Sequence, residues 1–364
     1  MIYLVDLEYV ETRYTSQWKT EFPQSIADKT GQDIVVIEGP DDIANGTTPG
    51  AFLDFAGTNI YKAEQVKIIA DLFQKQQIED GDHFVFADAW HPGVLQLKYM
   101  ADLLNIKITT HGLWHAGSYD EHDFLGRRIG DAKWVRHTEY AMFDAFDRNY
   151  FASQFHIGMF ANVMFEGADE NLHDVQSSEY LRSKIVRTGW PMEYLNKHIN
   201  SNPIKQDIIL FPHRNAPEKQ LEIFKDLEQT LPQYEWVNCN DYNLTKPEYN
   251  KLLEQSKMVF SANLQETLGI SCYEILRAGG VPLVPNRLSY IEMYADIFKY
   301  PSAFTENWKS YKDHKEILVG KIETLMNNFD AEEVQRNIKD NRNMLEEQYF
   351  SATNLYQELM NETV

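Results

Sequence analysis

Cysteine is nearly absent: Cys239 and Cys272 are the only two in 364 residues, and both are read as buried thiols. A disulfide-stapled secreted scaffold is excluded, and two buried thiols suit a reducing cytoplasm. Basic residues are scarce as well. Lys and Arg number 34 against 55 Asp and Glu, a formal charge of −21. Such a surface repels phosphate backbones and anionic membranes at long range, which excludes a generic nucleic-acid coat. No apolar run reaches the roughly 18 residues that a spanning helix needs. The amino terminus meets Asp6 and Glu8 directly after Met1-Ile2-Tyr3-Leu4-Val5, too early for a signal peptide. A soluble, unprocessed cytoplasmic protein with no membrane partner is predicted. Internal repeats and low-complexity tracts are missing, which removes solenoids. What is present is an ordinary globular composition, 43% hydrophobic, 24% charged and 13% aromatic. At about 150 residues per domain, the length implies two domains.

Short apolar runs alternate with helical patterns along the chain. Ile2 to Val5, Ile34 to Ile37, Phe84 to Ala87 and Ile106 to Thr109 lack polar alternation, as parallel strands buried on both faces do. Val66, Ile69, Ala70 and Phe73 recur at helical spacing and predict an amphipathic helix from about Tyr61 to Gln77. The alternation pauses in a polar, turn-rich stretch with Asn196, Asn200, Ser201, Asn202 and Pro203. It restarts with Ile208 to Phe211, a helix carrying Leu221, Phe224, Leu227 and Leu231, then Trp236-Val237, Met258 to Phe260 and Val281 to Val284. Asn215 with Glu218, Thr245 with Glu248 and Ser289 with Glu292 read as helix starts. The predicted fold class is α/β, with two doubly wound Rossmann-like domains facing a cleft. The expected division is 1–194 for an N-terminal Rossmann-like domain, 195–206 for a linker, 207–330 for a C-terminal Rossmann-like domain, and 331–364 for a helical segment that follows the second sheet.

The segment from Ser261 to Glu274 follows the Met258 to Phe260 strand. A strand ends, a loop carries Glu266, and a helix begins near Leu268. The amides of Thr267, Leu268 and Gly269 then form an anion site, with Gly269 leaving room for a phosphate. Glu274 lies inside the same helix, placed to reach a ribose. His213-Arg214-Asn215-Ala216-Pro217-Glu218-Lys219 follows the Ile208 to Phe211 strand and offers two cations five residues apart. Fixed cations stabilise a phosphoryl leaving group as its bond to the sugar breaks.

These two segments resemble the Glu-(seven residues)-Glu signature and the Gly-Arg-x-x-Pro-Glu-Lys stretch of retaining glycosyltransferases with the GT-B fold, the group that includes sucrose and glycogen synthases. The resemblance implies a transferase moving a sugar from a nucleotide sugar, UDP-linked, to an acceptor hydroxyl. Glu266 would hold the donor sugar, Leu268, Gly269 and Thr267 its surroundings and the distal phosphate, Glu274 the ribose, and Arg214 and Lys219 the diphosphate. Catalysis would rest on Arg214, Lys219 and Glu266. Thr109-Thr110-His111 resembles the family's strand ending in a His near the donor sugar, and Ile185 to Pro191 the approach to its interdomain linker. One departure is clear. The loop after the first strand, Leu7 to Thr15, contains no glycine where the family has a glycine-rich one. The family's front-face mechanism, in which the leaving diphosphate helps to deprotonate the acceptor, implies neither a cofactor nor a metal. His115, Asp120, His122 and Asp123 match no metal-ligand spacing.

Aromatic and polar side chains crowd two loops of the first half, Asp88 to Pro92 and His111 to Asp123. They form the expected acceptor wall, with Trp90 and Trp114 stacking on a flat or sugar-like acceptor and Asp88, His91 or His115 bonding its hydroxyl. The strings Ser261 to Glu274 and Pro285 to Tyr290 further resemble virus-encoded glycosyltransferases that act on hydroxymethylated bases of phage DNA. That resemblance implies a 5-hydroxymethylated cytosine acceptor and a host cytoplasm, with Arg127, Arg128, Lys133 and Arg136 as a local basic patch for DNA. A saccharide or small metabolite acceptor is the alternative. A nucleotide-sugar epimerase using Asp88 and His91, or a silent sugar-nucleotide binding protein, are the readings of another class.

Overall fold

The computed structural model describes residues 1–8, 10, 13–40, 54–164 and 179–361. It divides into two compact units, Met1–Pro191 with Ala352–Val364, and Met192–Ser351. Residues 195–206, read as a linker, therefore lie within the second unit. Leu195 and Ile199 are buried there, and Leu195–His198 is a short helix.

The first unit holds a six-stranded parallel sheet with strand order β2-β1-β3-β4-β5-β6. Its strands are β1 (Ile2–Val5), β2 (Ile34–Ile37), β3 (His83–Phe86), β4 (Thr109–Leu113), β5 (Arg148–Phe151) and β6 (Ile185–Arg187). All four residues of β1 and of β3 are buried, which explains their unbroken apolar runs. The flanking helices include α1 (Tyr14–Thr30), α2 (Phe55–Gln74), α3 (Gly93–Leu104), α4 (Phe124–Ile129) and α5 (Lys133–Ala145). α2 begins at Phe55, earlier than the pattern suggests, because Asp54 caps the Ala56 amide at 3.1 Å.

The fourth strand is displaced from the Ile106 to Thr109 run. Asn105 ends α3 in the left-handed region, the Ile106 amide bonds Ala101 O at 2.9 Å, and the Lys107 amide bonds the Asp80 carboxylate at 2.8 Å. Residues 106–108 thus complete the helix end, and pairing starts with Thr109 opposite His83.

The second unit holds a five-stranded parallel sheet with strand order β11-β10-β9-β7-β8. Its strands are β7 (Gln206–Phe211), β8 (Glu235–Asn238), β9 (Ser256–Phe260), β10 (Val281–Pro285) and β11 (Lys299–Tyr300). Of the three predicted helix starts, Thr245 and Glu248 form a complete capping box. Asn215 precedes only a 3₁₀ turn at Pro217–Lys219, and Ser289 makes no capping bond. The C-terminal segment is two helices, Glu332–Gln348 and Thr353–Met360, and the second belongs to the first unit. There Arg148 Nε donates to Glu358 at 3.1 Å and Gln32 Nε2 to Leu359 O at 2.9 Å. Among the described residues no helix is long and apolar enough to cross a membrane.

In each parallel sheet the carboxyl ends of the strands share one edge, and the loops that leave this edge are where doubly wound folds bind ligands.

Candidate functional site

In the second unit the loops after β7 and β9 are bound to each other. Gln220 adopts φ 53° after the 3₁₀ turn and its Nε2 donates to Ala262 O at 2.6 Å, while the Leu264 amide donates to Glu218 O at 2.8 Å. Arg287, after β10, fixes the same loop by donating to the carbonyls of Asn263 and Ala262, each at 2.7 Å. On this frame the buried Lys219 donates to Gln265 O at 2.5 Å and stands 3.4 Å from the Glu266 carboxylate. Asn263 Nδ2 reaches the Tyr290 hydroxyl at 3.0 Å and the same Glu266 oxygen at 3.5 Å. Arg214 forms a 2.6 Å ion pair with the buried Glu218. His213 lies beneath them, within 3.4 Å of Ser271 Oγ, and burial, reinforced by Lys219, pushes its pKa down to about 3. It is a neutral ring at pH 7.

The helix Ile270–Arg277 starts two residues later than expected, with Gly269 as its cap. Gly269 has φ 76°, and a Cβ there would lie 2.7 Å from the Tyr290 ring. Its hydrogen side chain is therefore required by the left-handed turn and by Tyr290, in addition to any ligand. The amides of Leu268 and Gly269 make no hydrogen bond among the described residues. Thr267 is half-buried beside them.

Eight residues beyond Glu266, Glu274 is buried and doubly bonded. Lys246 Nζ donates to Oε1 at 2.7 Å and the Tyr249 hydroxyl to Oε2 at 2.8 Å. Each oxygen retains a second lone pair for a ribose hydroxyl. Lys246 and Tyr249 escaped the sequence reading, although their spacing of three behind the legible Thr245 cap puts both on one helical face.

In the first unit, the loops after β1, β3 and β4 line a cavity of about 550 Å³. Phe55, Trp90, Phe124 and Trp134 make it largely aromatic, and Asp88, Lys62 and His115 supply polar groups. Asp88 accepts the Trp90 amide at 3.0 Å and faces Lys62 at 3.4 Å. Burial alone would raise its pKa, but Lys62 and His115 outweigh it and hold the carboxyl below its ordinary value. His115 Nε2 donates to Ala87 O at 2.7 Å, so Nδ1 of the neutral ring accepts from the Tyr14 hydroxyl at 2.8 Å. The glycine-free loop reaches the same cavity through Leu7, Val10, Arg13, Tyr14 and Thr15.

Several expected contacts are absent. Trp114 is fully buried, stacked on Phe151 with its Nε1 donating to Asn149 Oδ1 at 2.8 Å, and is core rather than wall. His91 is buried against Gln65, 3.0 Å away, and accepts the Gly93 amide at 3.1 Å. It does not line the cavity, which removes one of the two groups the epimerase alternative needs. His111 lies mid-strand, because β4 starts at Thr109, and is buried between His83 and Tyr150, each at 2.9 Å. It offers no edge to a ligand. Cys239 is only half-buried, while Cys272 is buried.

The basic patch is partly dissolved by Glu139, a buried residue that sequence reasoning missed. Its carboxylate accepts from Trp90 Nε1 at 2.9 Å, the Ser118 amide at 2.7 Å and Arg136 at 3.3 Å, so Arg136 points inward. Arg127, Arg128 and Lys133 remain exposed. Asp120 and Asp123 cap the amides of His122 and Leu125. Among the described residues no group of three or more acidic, His or Cys side chains could hold a metal ion.

No family model matches the chain, and no curated protein sequence matches it. Solved structures do. Sucrose-phosphate synthase from Thermosynechococcus elongatus superposes with a TM-score of 0.60 at 9% identity, over 98% of both chains. Anabaena HepE, solved with UDP, gives 0.53 at 11% identity, again over 98% of both. The pneumococcal O-GlcNAc transferase GtfA, solved with UDP and GlcNAc, gives 0.54 at 12% identity over 83% of this chain. The chain spans 60% of the length of that transferase. The fold is the two-sheet α/β arrangement of these proteins, GT-B.

Proposed function

We propose that the chain is a glycosyltransferase that moves a sugar from a nucleotide sugar to an acceptor hydroxyl with retention of configuration. The observation that carries this reading is the Lys219–Glu266 pair, 3.4 Å apart on loops that Gln220 and Arg287 hold rigid at the carboxyl edge of the second sheet. A cation and a carboxylate in one polar corner suit a diphosphate and the sugar bonded to it. Lys219 and Arg214 stabilise the charge that grows on the leaving diphosphate, Glu266 orients the sugar hydroxyls, and the amides of Leu268 and Gly269 face the distal phosphate. Glu274, aligned by Lys246 and Tyr249, takes the ribose. Solved proteins of the same fold hold UDP, which supports a UDP-linked donor. The leaving diphosphate itself accepts the acceptor proton, so turnover continues in a strong chelator.

The acceptor is assigned to the aromatic cavity beside Asp88, His115 and Trp90. A 5-hydroxymethylated cytosine of phage DNA fits as a flat ring carrying a hydroxyl, flipped out of the stack at a cost of a few kcal/mol. A saccharide or small metabolite is the second reading, favoured by the withdrawal of Arg136 to Glu139, which leaves fewer cations for phosphates. Calorimetry with UDP and UDP-sugars tests the donor, and the anomeric configuration of the product tests retention. Labelled-sugar transfer to hydroxymethylcytosine DNA, unmodified DNA and a saccharide panel separates the acceptors. No UDP binding and no transfer to any acceptor would overturn the reading.

A further inference from the structure

A second cavity, of about 620 Å³, lies within Met192–Ser351 at the other edge of the sheet. Lys205 immediately precedes β7, Lys257 is the second residue of β9, and Gly279 comes just before β10. The cavity thus opens at the amino ends of strands whose carboxyl ends carry Lys219 and Glu266. The six residues of β7, at about 3.3 Å each, separate the two edges by roughly 20 Å. Its outer wall is the helix Glu332–Gln348, which contributes Lys339 and Arg342.

Charge makes this cavity unusual for the chain. Four cations line it against one carboxylate, that of the exposed Asp330, in a protein with a net charge of −21. Lys257 is neutralised by Asp207 at 2.6 Å and lies over the Phe329 ring. The other three are not neutralised. Lys205, Lys339 and Arg342 form no ion pair with any described carboxylate. Lys205 is half-buried, and among the described residues its ammonium donates only to Leu253 O at 3.2 Å. Burial lowers its pKa to about 7, with Glu254 opposing. Burial leaves Lys205 only partly charged at neutral pH, and an anion in the hollow would restore its charge alongside Lys339 and Arg342.

We infer that this cavity binds a small phosphorylated metabolite, with its phosphate held by Lys205, Lys339 and Arg342 and its body against Phe329 and Ile338. The volume is that of a small-molecule site. Arg342 supplies the planar fork that matches phosphate oxygens, and Lys205 a point charge. Because Lys205 is recessed, it meets a terminal phosphate more readily than the diester backbone of a polymer. The inference does not rest on the transferase reading, since no residue is shared.

The test is calorimetric titration of the full chain with inorganic pyrophosphate, which suits either phosphate site. The variant K339Q/R342Q removes two charges from the solvent side of a helix, and R214A/K219A disables the other edge. Binding weakened at least tenfold in K339Q/R342Q but persisting in R214A/K219A is the expected result. Loss of all binding in R214A/K219A with K339Q/R342Q unchanged would overturn it, as would no binding to the wild-type chain at millimolar pyrophosphate. If K339Q/R342Q unfolds, Lys205→Met provides the same comparison. A hexose phosphate should compete with pyrophosphate for the site lost in K339Q/R342Q. Competition there by a short DNA duplex and not by the hexose phosphate would overturn the small-metabolite class.

Discussion

Lys219 and Glu266 face each other at 3.4 Å, yet the stronger bond of the ammonium is to Gln265 O, at 2.5 Å. The lysine is thereby anchored by backbone, and its charge is shared with one carboxylate that it does not fully neutralise. Lys219→Ala should lower turnover by about 100-fold or more, the cost of losing one preorganised charge-stabilising donor. Glu266→Gln should lower turnover with little change in UDP affinity. Steady-state kinetics with calorimetry on both variants checks this, and normal turnover in Lys219→Ala would refute the phosphate role.

Glu274 is predicted to act on binding. Glu274→Ala removes a charged acceptor for a ribose hydroxyl, worth roughly 1.5–3 kcal/mol, and leaves Lys246 and Tyr249 unpaired. Tyr249→Phe removes the 2.8 Å bond to Oε2 while keeping the carboxylate. UDP affinity should fall in the order wild type, Tyr249→Phe, Glu274→Ala. Unchanged affinity in Glu274→Ala would exclude it from the site.

Strand and helix alternation was legible because parallel strands buried on both faces are written as unbroken apolar runs. Thr245 announced its helix for a similar reason, since a capping box is local chemistry. What stayed hidden is contact between distant segments. Nothing near Trp114 in sequence shows that Asn149 receives its indole N–H, so an aromatic beside a strand end read as ligand wall. His111 was misplaced by a strand that starts only at the last residue of its apolar run, Thr109, at a point fixed by Asp80 and Asn105. Glu139 looked like an ordinary helical charge, and only tertiary structure makes it the buried partner of Trp90, Ser118 and Arg136.

Trp114 and Trp90 should therefore separate stability from acceptor use. Trp114→Phe leaves the buried Asn149 Oδ1 without its donor, at a cost of about 1–3 kcal/mol, while its Nδ2 still bonds Phe143 O. Thermal unfolding should show that loss, with acceptor KM unaltered. Trp90→Ala, at the cavity, should raise acceptor KM. An acceptor KM that responds to Trp114→Phe alone would invert the assignment.

Asp6 gives the fold a pH dependence of its own. Its carboxyl is buried after β1, with Oδ1 accepting from the Tyr61 hydroxyl at 2.7 Å and from Gln65 Nε2 at 2.9 Å, while Oδ2 has no partner among the described residues. Burial raises its pKa to about 7; the Tyr61 bond opposes that shift and Glu38 adds to it. The folded value lies above the unfolded one, so folding favours the neutral acid. The associated stability is complete below the ordinary carboxyl pKa and is lost as pH rises to about 7. Asp6→Asn keeps an oxygen for Tyr61 and Gln65 but cannot ionise. The variant should gain stability relative to the wild type as pH rises from 5 to 8, the difference levelling above the folded pKa. Urea denaturation at pH 5, 6.5 and 8 reads this directly. Parallel profiles for the two proteins would mean that Asp6 folds already ionised, with its charge stabilised by Tyr61 and Gln65.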